Sequence, residues 1–281
     1  MMGRLIQTRF MDRYDTVVFL FANTGEENEQ TLEFVQRCDA AFGFSTVWVE
    51  AVVRPEKGQG TTHRVVTYET ASRRGEPYEA VIQKYGIPNA KFPHCTRELK
   101  QAPMYSYVRS VLGWKRGEYD VAIGIRADES RRCDRTNPYT VYPLADWVPV
   151  TKPDVNSFWQ AQPFRLNLTG YQGNCKWCWK KGTRKLLTIM DETPEAFDFP
   201  QRMEHQYGGI GPEFEKVTAP GYRRVFFHKN TSTADLRAMH ACDEWTRAEN
   251  DAIIYKDRPV WLDTDADCAE SCDVRWDVDK T

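Results

Sequence analysis

The chain has 281 residues, enough for a full hydrophobic core, and its 38 Lys and Arg nearly balance 40 Asp and Glu, for a net charge of −2. That balance excludes a protein that coats nucleic acid by bulk electrostatics, while leaving room for a local basic groove. No run of about 18 apolar residues is available to span a bilayer, the start runs into charged residues instead of a signal-peptide core, and a cytoplasmic protein without membrane attachment is expected.

In chain order, Met2, Leu5, Ile6 and Phe10 fall at helical spacing, and the apolar run 16–21 reads as a strand buried on both faces. Residues 22–27 make a polar loop, Leu32, Val35, Cys38 and Phe42 a helix ending near Gly43, and 46–53 a second strand. A Pro- and Gly-containing loop over 54–63 leads to a short strand at 64–67 and a helix over 78–85 stopped by Gly86 and Pro88. Residues 95–112 read as a helix that Pro103 kinks, and 119–125 as a buried strand with a polar exit loop, 126–133. This alternation predicts an α/β fold, a doubly wound, largely parallel sheet. Near residue 148 the texture changes to short proline-punctuated helices dense in aromatics. We therefore divide the chain into a nucleotide-binding α/β domain (1–148) and a smaller helical or irregular lobe (149–281), whose tail shows only a helix at 233–250.

Ligands of open parallel sheets bind beyond the carboxyl ends of the strands, so two loops are candidates. Asn23, Thr24 and Gly25 leave the first strand, and Gly124 and Arg126 leave a later one, with a guanidinium able to grip a phosphate or sulfate at two points. The competing reading of Arg126, Asp128, Glu129, Arg131 and Arg132 is a solvated loop of mutually paired charges. Arg97 and Lys100, on the helix after Cys95, are either further anion contacts or an exposed helix face.

Eight cysteines in a chain without a secretion signal point to metal or redox use before a disulfide framework. Cys175 and Cys178 form a Cys-x-x-Cys turn that lets two thiolates face one metal or form one redox disulfide. Cys268 and Cys272 compete with any other cysteines to complete a site. Cys38, on an apolar helix face, and Cys242 read as small core residues. The five histidines lack zinc-protease spacing, and only His94, next to Cys95, is placed to lower a thiol pKa or to substitute as a ligand.

The segments 21–27 with 31–34, Cys95-Thr-Arg-Glu-Leu-Lys100 with Pro103, Gly124-Ile-Arg-Ala-Asp-Glu-Ser130, 142–147, Phe158 with Trp159, 162–164 and Gly173-Asn-Cys-Lys-Trp-Cys178 together resemble the phosphoadenosine-phosphosulfate reductase family. This family lies within the adenine-nucleotide alpha-hydrolase-like group, and the version resembled is that of phage and bacterial members, over roughly residues 15–185. The resemblance implies a nucleotide pocket with Asn23, Thr24 and Gly25 near the adenosine and Arg97, Lys100 and Arg126 near the phosphate or sulfate end, with Gly124, Asp128 and Glu129 as further nucleotide-binding residues. It also implies an iron-sulfur ligand at Cys95, so that Cys95, Cys175 and Cys178, with Cys133 as fourth, would hold a four-iron four-sulfur cluster or zinc.

Two departures stand out. The family's Ser-Gly-Gly phosphate loop is not in the chain, which reads as N-terminally incomplete relative to the family, and the Glu-Cys-Gly-x-His motif of reductase members is replaced by Asp267-Cys-Ala-Glu-Ser-Cys272. The expected function is accordingly sulfonucleotide reduction or ATP-dependent sulfur transfer to tRNA or DNA, with a homodimer as one expected assembly. The alternative is a nucleotide-sensing scaffold that keeps the fold without catalysis.

Overall fold

A computed structural model describes residues 1–56, 58–211, 222–242 and 244–256. The protein is mixed α/β. Helix α1 (Met2–Arg9) precedes strand β1 (Leu20–Asn23), helix α2 (Glu29–Phe42) and strands β2 (Val47–Val53) and β3 (Thr61–Val66). β1 and β2 run parallel, with Leu20 opposite Val47, and β3 runs antiparallel to β2, with Trp48 opposite Val66. α2 buries Leu32 and Cys38 and closes at Gly43 in the left-handed region (φ 67°), which supplies the reversal into β2.

The strands differ from expectation at their edges. Pairing of β1 begins only where Val47 donates to the Phe19 carbonyl (2.9 Å), and Leu20 and Phe21 are partly exposed, so the strand is shorter and less enclosed than the apolar run implies. β3 starts at Thr61 because the antiparallel ladder continues out to Val53, through residues that read as loop. Of the run 119–125, only strand β4 (Val121–Ala122) is laddered, in parallel with β5 (Thr140–Val141), as a separate two-stranded sheet.

Helix α3 (Glu76–Tyr85) starts with Pro77 in its first turn and ends at Gly86. The 95–112 region is helical with a variable pitch: α4 (Ala102–Tyr107) is flanked by wider π turns over Arg97–Gln101 and Val108–Leu112. Pro103, which has no N–H to donate, falls at the junction of the first π turn with α4. Helices α5 (Lys152–Gln160), α6 (Thr183–Glu192), α7 (Asp198–Tyr207) and α8 (Thr233–Ala241) follow. α8 opens with a reciprocal Ser232/Asp235 capping box and stops well before residue 250. Cys242 just past its end is exposed, not the small core residue expected.

One hydrophobic core joins the two sides of residue 148: Tyr78, Val81, Ile82 and Leu99 pack with Trp177, Leu186, Phe197, Met203 and Phe226. Among the described residues no helix is long and apolar enough to cross a membrane.

Candidate thiol site

The loop that leaves β1 is held from within. Asn23 is fully buried and donates through Nδ2 to Glu50 Oε1 (2.6 Å) and to the Ser72 carbonyl (2.8 Å). Glu50, also without exposure, further accepts from the Ser72 N–H (2.6 Å) and from Arg64 Nη2 (2.6 Å). The Thr24 hydroxyl and N–H donate to the Glu27 carboxylate (2.8 and 2.9 Å). Gly25 lies at φ 82° against Gly75, whose N–H donates to the Gly25 carbonyl (3.0 Å), and a Cβ on Gly25 would stand 2.9 Å from that nitrogen. Glycine is required there by close backbone approach.

On this loop sits the Cys-x-x-Cys turn. Glu27 and Cys175 form an antiparallel bridge, the Lys176 N–H donates to the Glu26 carbonyl (2.9 Å), and Trp177 Nε1–H donates to Glu26 Oε2 (2.6 Å). The Thr24 hydroxyl and Cys175 Sγ are 3.7 Å apart. Glu26 is buried, and burial raises its carboxyl to about 7 despite the Trp177 hydrogen bond and the charge of Lys176.

Tyr78 of α3 lies in the same core cluster as Cys175 and Cys178. Its phenol is held well above the usual range by burial, then by the neighbouring charges of Cys95, Cys175 and Cys178, with a hydrogen bond to Cys95. Cys175 is likewise raised well above the ordinary thiol value, by burial and then by the Glu27 carboxylate, against the pull of Lys100 and Thr24. The described cysteines are all free thiols, and Cys175 is buried. Among the described residues no three His, Cys, Asp or Glu side chains are gathered to hold a metal ion.

Cys175 and Cys178 thus share one core cluster against which Cys95 packs, and the Lys100 charge acts on the Cys175 thiol. Cys133 lies in another setting, after β4, where burial raises its thiol and its charged neighbours are Arg135, Asp146, Arg132 and Glu129. Arg126 Nε pairs with Asp128 Oδ1 (3.0 Å) and its Nη1 with Glu129 Oε2 (3.3 Å), while Glu129 also holds Arg132 (2.7 Å), so this loop takes its mutually paired form. Arg97, half exposed, pairs with Glu98 (2.7 Å). A Cβ on Gly124 would meet only Met2 Sδ, at 3.6 Å, so no crowding calls for glycine there.

His94 is no activating cation for Cys95: burial first, and then the positive charge of Arg224, lower it to about 4, and its Nε2 lies 3.1 Å from the Gly86 carbonyl. Cys268 and Cys272 lie outside the described residues. Sequence reading missed Tyr78, Glu26 and Glu27, whose proximity to the Cys-x-x-Cys turn exists only through contacts about 100 to 150 residues apart in the chain. The available signal was the pair of acids directly after Gly25.

No family model matches the chain, and no solved structure matches it. It is 29% identical over 267 residues, 92% of this chain and 85% of the relative, to an uncharacterized nin region protein, ORF290, of Escherichia phage lambda.

Proposed function

We propose that the chain is a phosphoadenosine-phosphosulfate reductase-like protein that binds an adenine nucleotide and carries a thiol-held four-iron four-sulfur cluster or zinc, for sulfonucleotide reduction or for sulfur transfer to tRNA or DNA in the cytoplasm. The observation that supports this reading is that Cys95, from the first half of the chain, packs against the same core cluster as Cys175, Cys178 and Tyr78. Parallel β1 and β2 and parallel β4 and β5 are the portions consistent with the doubly wound sheet that the reading carries with it.

The donor set fits a thiophilic metal in kind, since thiolates are shared ligands of zinc and iron-sulfur clusters and buried thiols ionise when a cation replaces their protons. The side chains are not drawn into a coordination shell as they stand. Binding a metal would require the sulfurs to close on it and a fourth ligand to join. The protein's own contribution is an apolar enclosure from Trp177, Tyr78 and Leu99, with Lys100 offsetting thiolate charge.

A second reading, the nucleotide-sensing scaffold without catalysis, is favoured by one observation: Asn23, Thr24 and Arg126 use their side chains on internal partners. Anaerobic purification with iron, sulfide and zinc analysis tests the metal. Cys175→Ser and Cys95→Ser should each lose it and Cys38→Ser should retain it, and unchanged metal in Cys175→Ser would sink the assignment. Calorimetry with ATP and adenosine phosphosulfate tests the nucleotide, with affinity falling about tenfold or more in Lys100→Ala and Arg126→Ala. Binding without turnover selects the scaffold.

A further inference from the structure

The Cys-x-x-Cys turn is gripped by a residue that follows it. Lys181 is only 6% exposed, and its ammonium donates to the Gly173 carbonyl and to the Cys175 carbonyl (3.2 Å). Its backbone N–H donates to the Cys178 carbonyl (3.0 Å), so one residue is tied to both cysteines. We propose that Lys181 is a positioning residue for the thiol pair, which sets the direction in which Cys175 and Cys178 present their sulfurs to a thiophilic metal. For what the sulfurs receive, the inference rests on the metal reading above.

The turn is one that needs a hold. Asn174 lies at φ 64°, in the left-handed region that residues other than glycine adopt at a cost, Asn at less than most. The carbonyls one residue before and one residue after it accept from the same ammonium, which closes the backbone over the left-handed residue. An ammonium suits that task, since it is a compact centre with three donors on a flexible stem and can serve two acceptors at once. Other bonds fix the opposite side of the turn. Glu27 and Cys175 bridge, the Lys176 N–H donates to the Glu26 carbonyl (2.9 Å), and the Cys178 N–H donates to the Cys175 carbonyl (3.1 Å). Those bonds dock the turn on the β1 exit loop, and Lys181 adds the hold on the side of Gly173. Two sulfurs that share one metal must converge on it, and a rotation of the backbone at residue 174 would swing the Cys175 sulfur away from that of Cys178. The hydrogen bonds of the Lys181 ammonium go to backbone oxygens, so its action on the thiols is through the shape of the turn.

The test is titration of the full chain with zinc and with cobalt(II) against a chromophoric chelator, together with the rates at which a disulfide reagent labels Cys175 and Cys178 without metal. Lys181→Met removes both side-chain bonds while the Cys175 carbonyl keeps the Cys178 N–H. It should weaken zinc about tenfold or more and change the thiolate-to-cobalt absorption. Lys181→Arg, which keeps a cation and several donors, should stay closer to the wild type. Lys181→Gln, with one shorter neutral donor group, gives the same reading where Lys181→Met does not fold. Asn174→Val, which disfavours the left-handed conformation without touching the ammonium, should reproduce the loss. Asn174→Gly, which accepts that conformation freely, should restore binding when combined with Lys181→Met. Unchanged affinity and absorption in Lys181→Met, or a loss that Asn174→Gly does not restore, overturns the positioning role. If the wild type binds neither metal, the metal reading falls and the labelling rates decide. Faster labelling in Lys181→Met and in Asn174→Val, returning toward the wild-type rate when Asn174→Gly is added to Lys181→Met, upholds Lys181 as the residue that aims the thiols, and equal rates in all variants overturn it.

Discussion

Glu50 shows what a single side chain decides here. Fully buried, it satisfies Asn23, the Ser72 backbone and Arg64 at once, and so sets the conformation of the loop that carries Thr24 to Glu27. Replacing it by Gln swaps one acceptor oxygen for a donor facing donors, and should cost about 1 to 3 kcal/mol in urea unfolding. Arg64→Ala takes the cation from the buried Glu50 carboxylate and should cost more than the about 1 kcal/mol of an exposed ion pair in the same assay. Trp177, with no exposed surface, anchors the other loop by its body and by its indole N–H to Glu26. Trp177→Ala should be far more damaging than Trp177→Phe, by about 3 to 5 kcal/mol against the wild type. Neither role was legible in the sequence, because a buried carboxylate in a strand and an exposed one look alike until the partners across the sheet are known.

At the scale of elements, the contact between the β1 exit loop and the Cys-x-x-Cys turn is sensitive to pH through Glu26. Its carboxyl sits at about 7 in the folded protein, above the ordinary 4.5, so the folded state binds more protons than the unfolded one between those values. Stability contributed by the neutral form is therefore full below about 4.5 and is lost as pH rises to about 7. Glu26→Gln, which stays neutral, should remove this part of the slope. Thermal melts across that range check it, and an unchanged slope would show that Glu26 is not the responsible group. The two halves of the interface also depend on Gly75, at φ 77°, where a Cβ would lie 2.2 Å from the Phe199 ring. Gly43, at φ 67°, has nothing near the added atom. Gly43→Ala should cost about 1 kcal/mol of backbone strain alone, and Gly75→Ala clearly more, in equilibrium unfolding. Chain-local signals placed most of these elements: Gly43 and Gly86 as helix stops, Leu32 and Cys38 on one helix face. They failed at strand ends and at 233–250, since ladder length depends on the partner strand and not on the apolar run itself.

Across the whole molecule, the change of texture near residue 148 does not divide the core. Tyr78, Val81 and Ile82 pack against Trp177, Leu186 and Phe226, and Glu26 to Asn28 bond to residues 172–177. Tryptophan fluorescence and far-ultraviolet circular dichroism should therefore report coincident unfolding midpoints, and residues 1–148 expressed alone should expose this apolar face and aggregate. Separated midpoints would mean that the two parts hold together less tightly than their shared core implies.

Local patterns alone determined the mixed α/β character, the helix faces and stops, and the choice of Cys175 and Cys178 as residues to watch, because helical periodicity, glycine stops and a Cys-x-x-Cys spacing are properties of neighbouring residues, whereas Cys95 was singled out only by the family resemblance. The tertiary structure decided that Cys95 packs against the core that holds Cys175, Cys178 and Tyr78 while Cys133 stands among arginines and acids, and that Asn23 and Arg126 spend their hydrogen bonds internally. Convergence, burial and charge pairing are set by which distant segments share a core, and the energies that fix them are not carried by any short stretch of the chain.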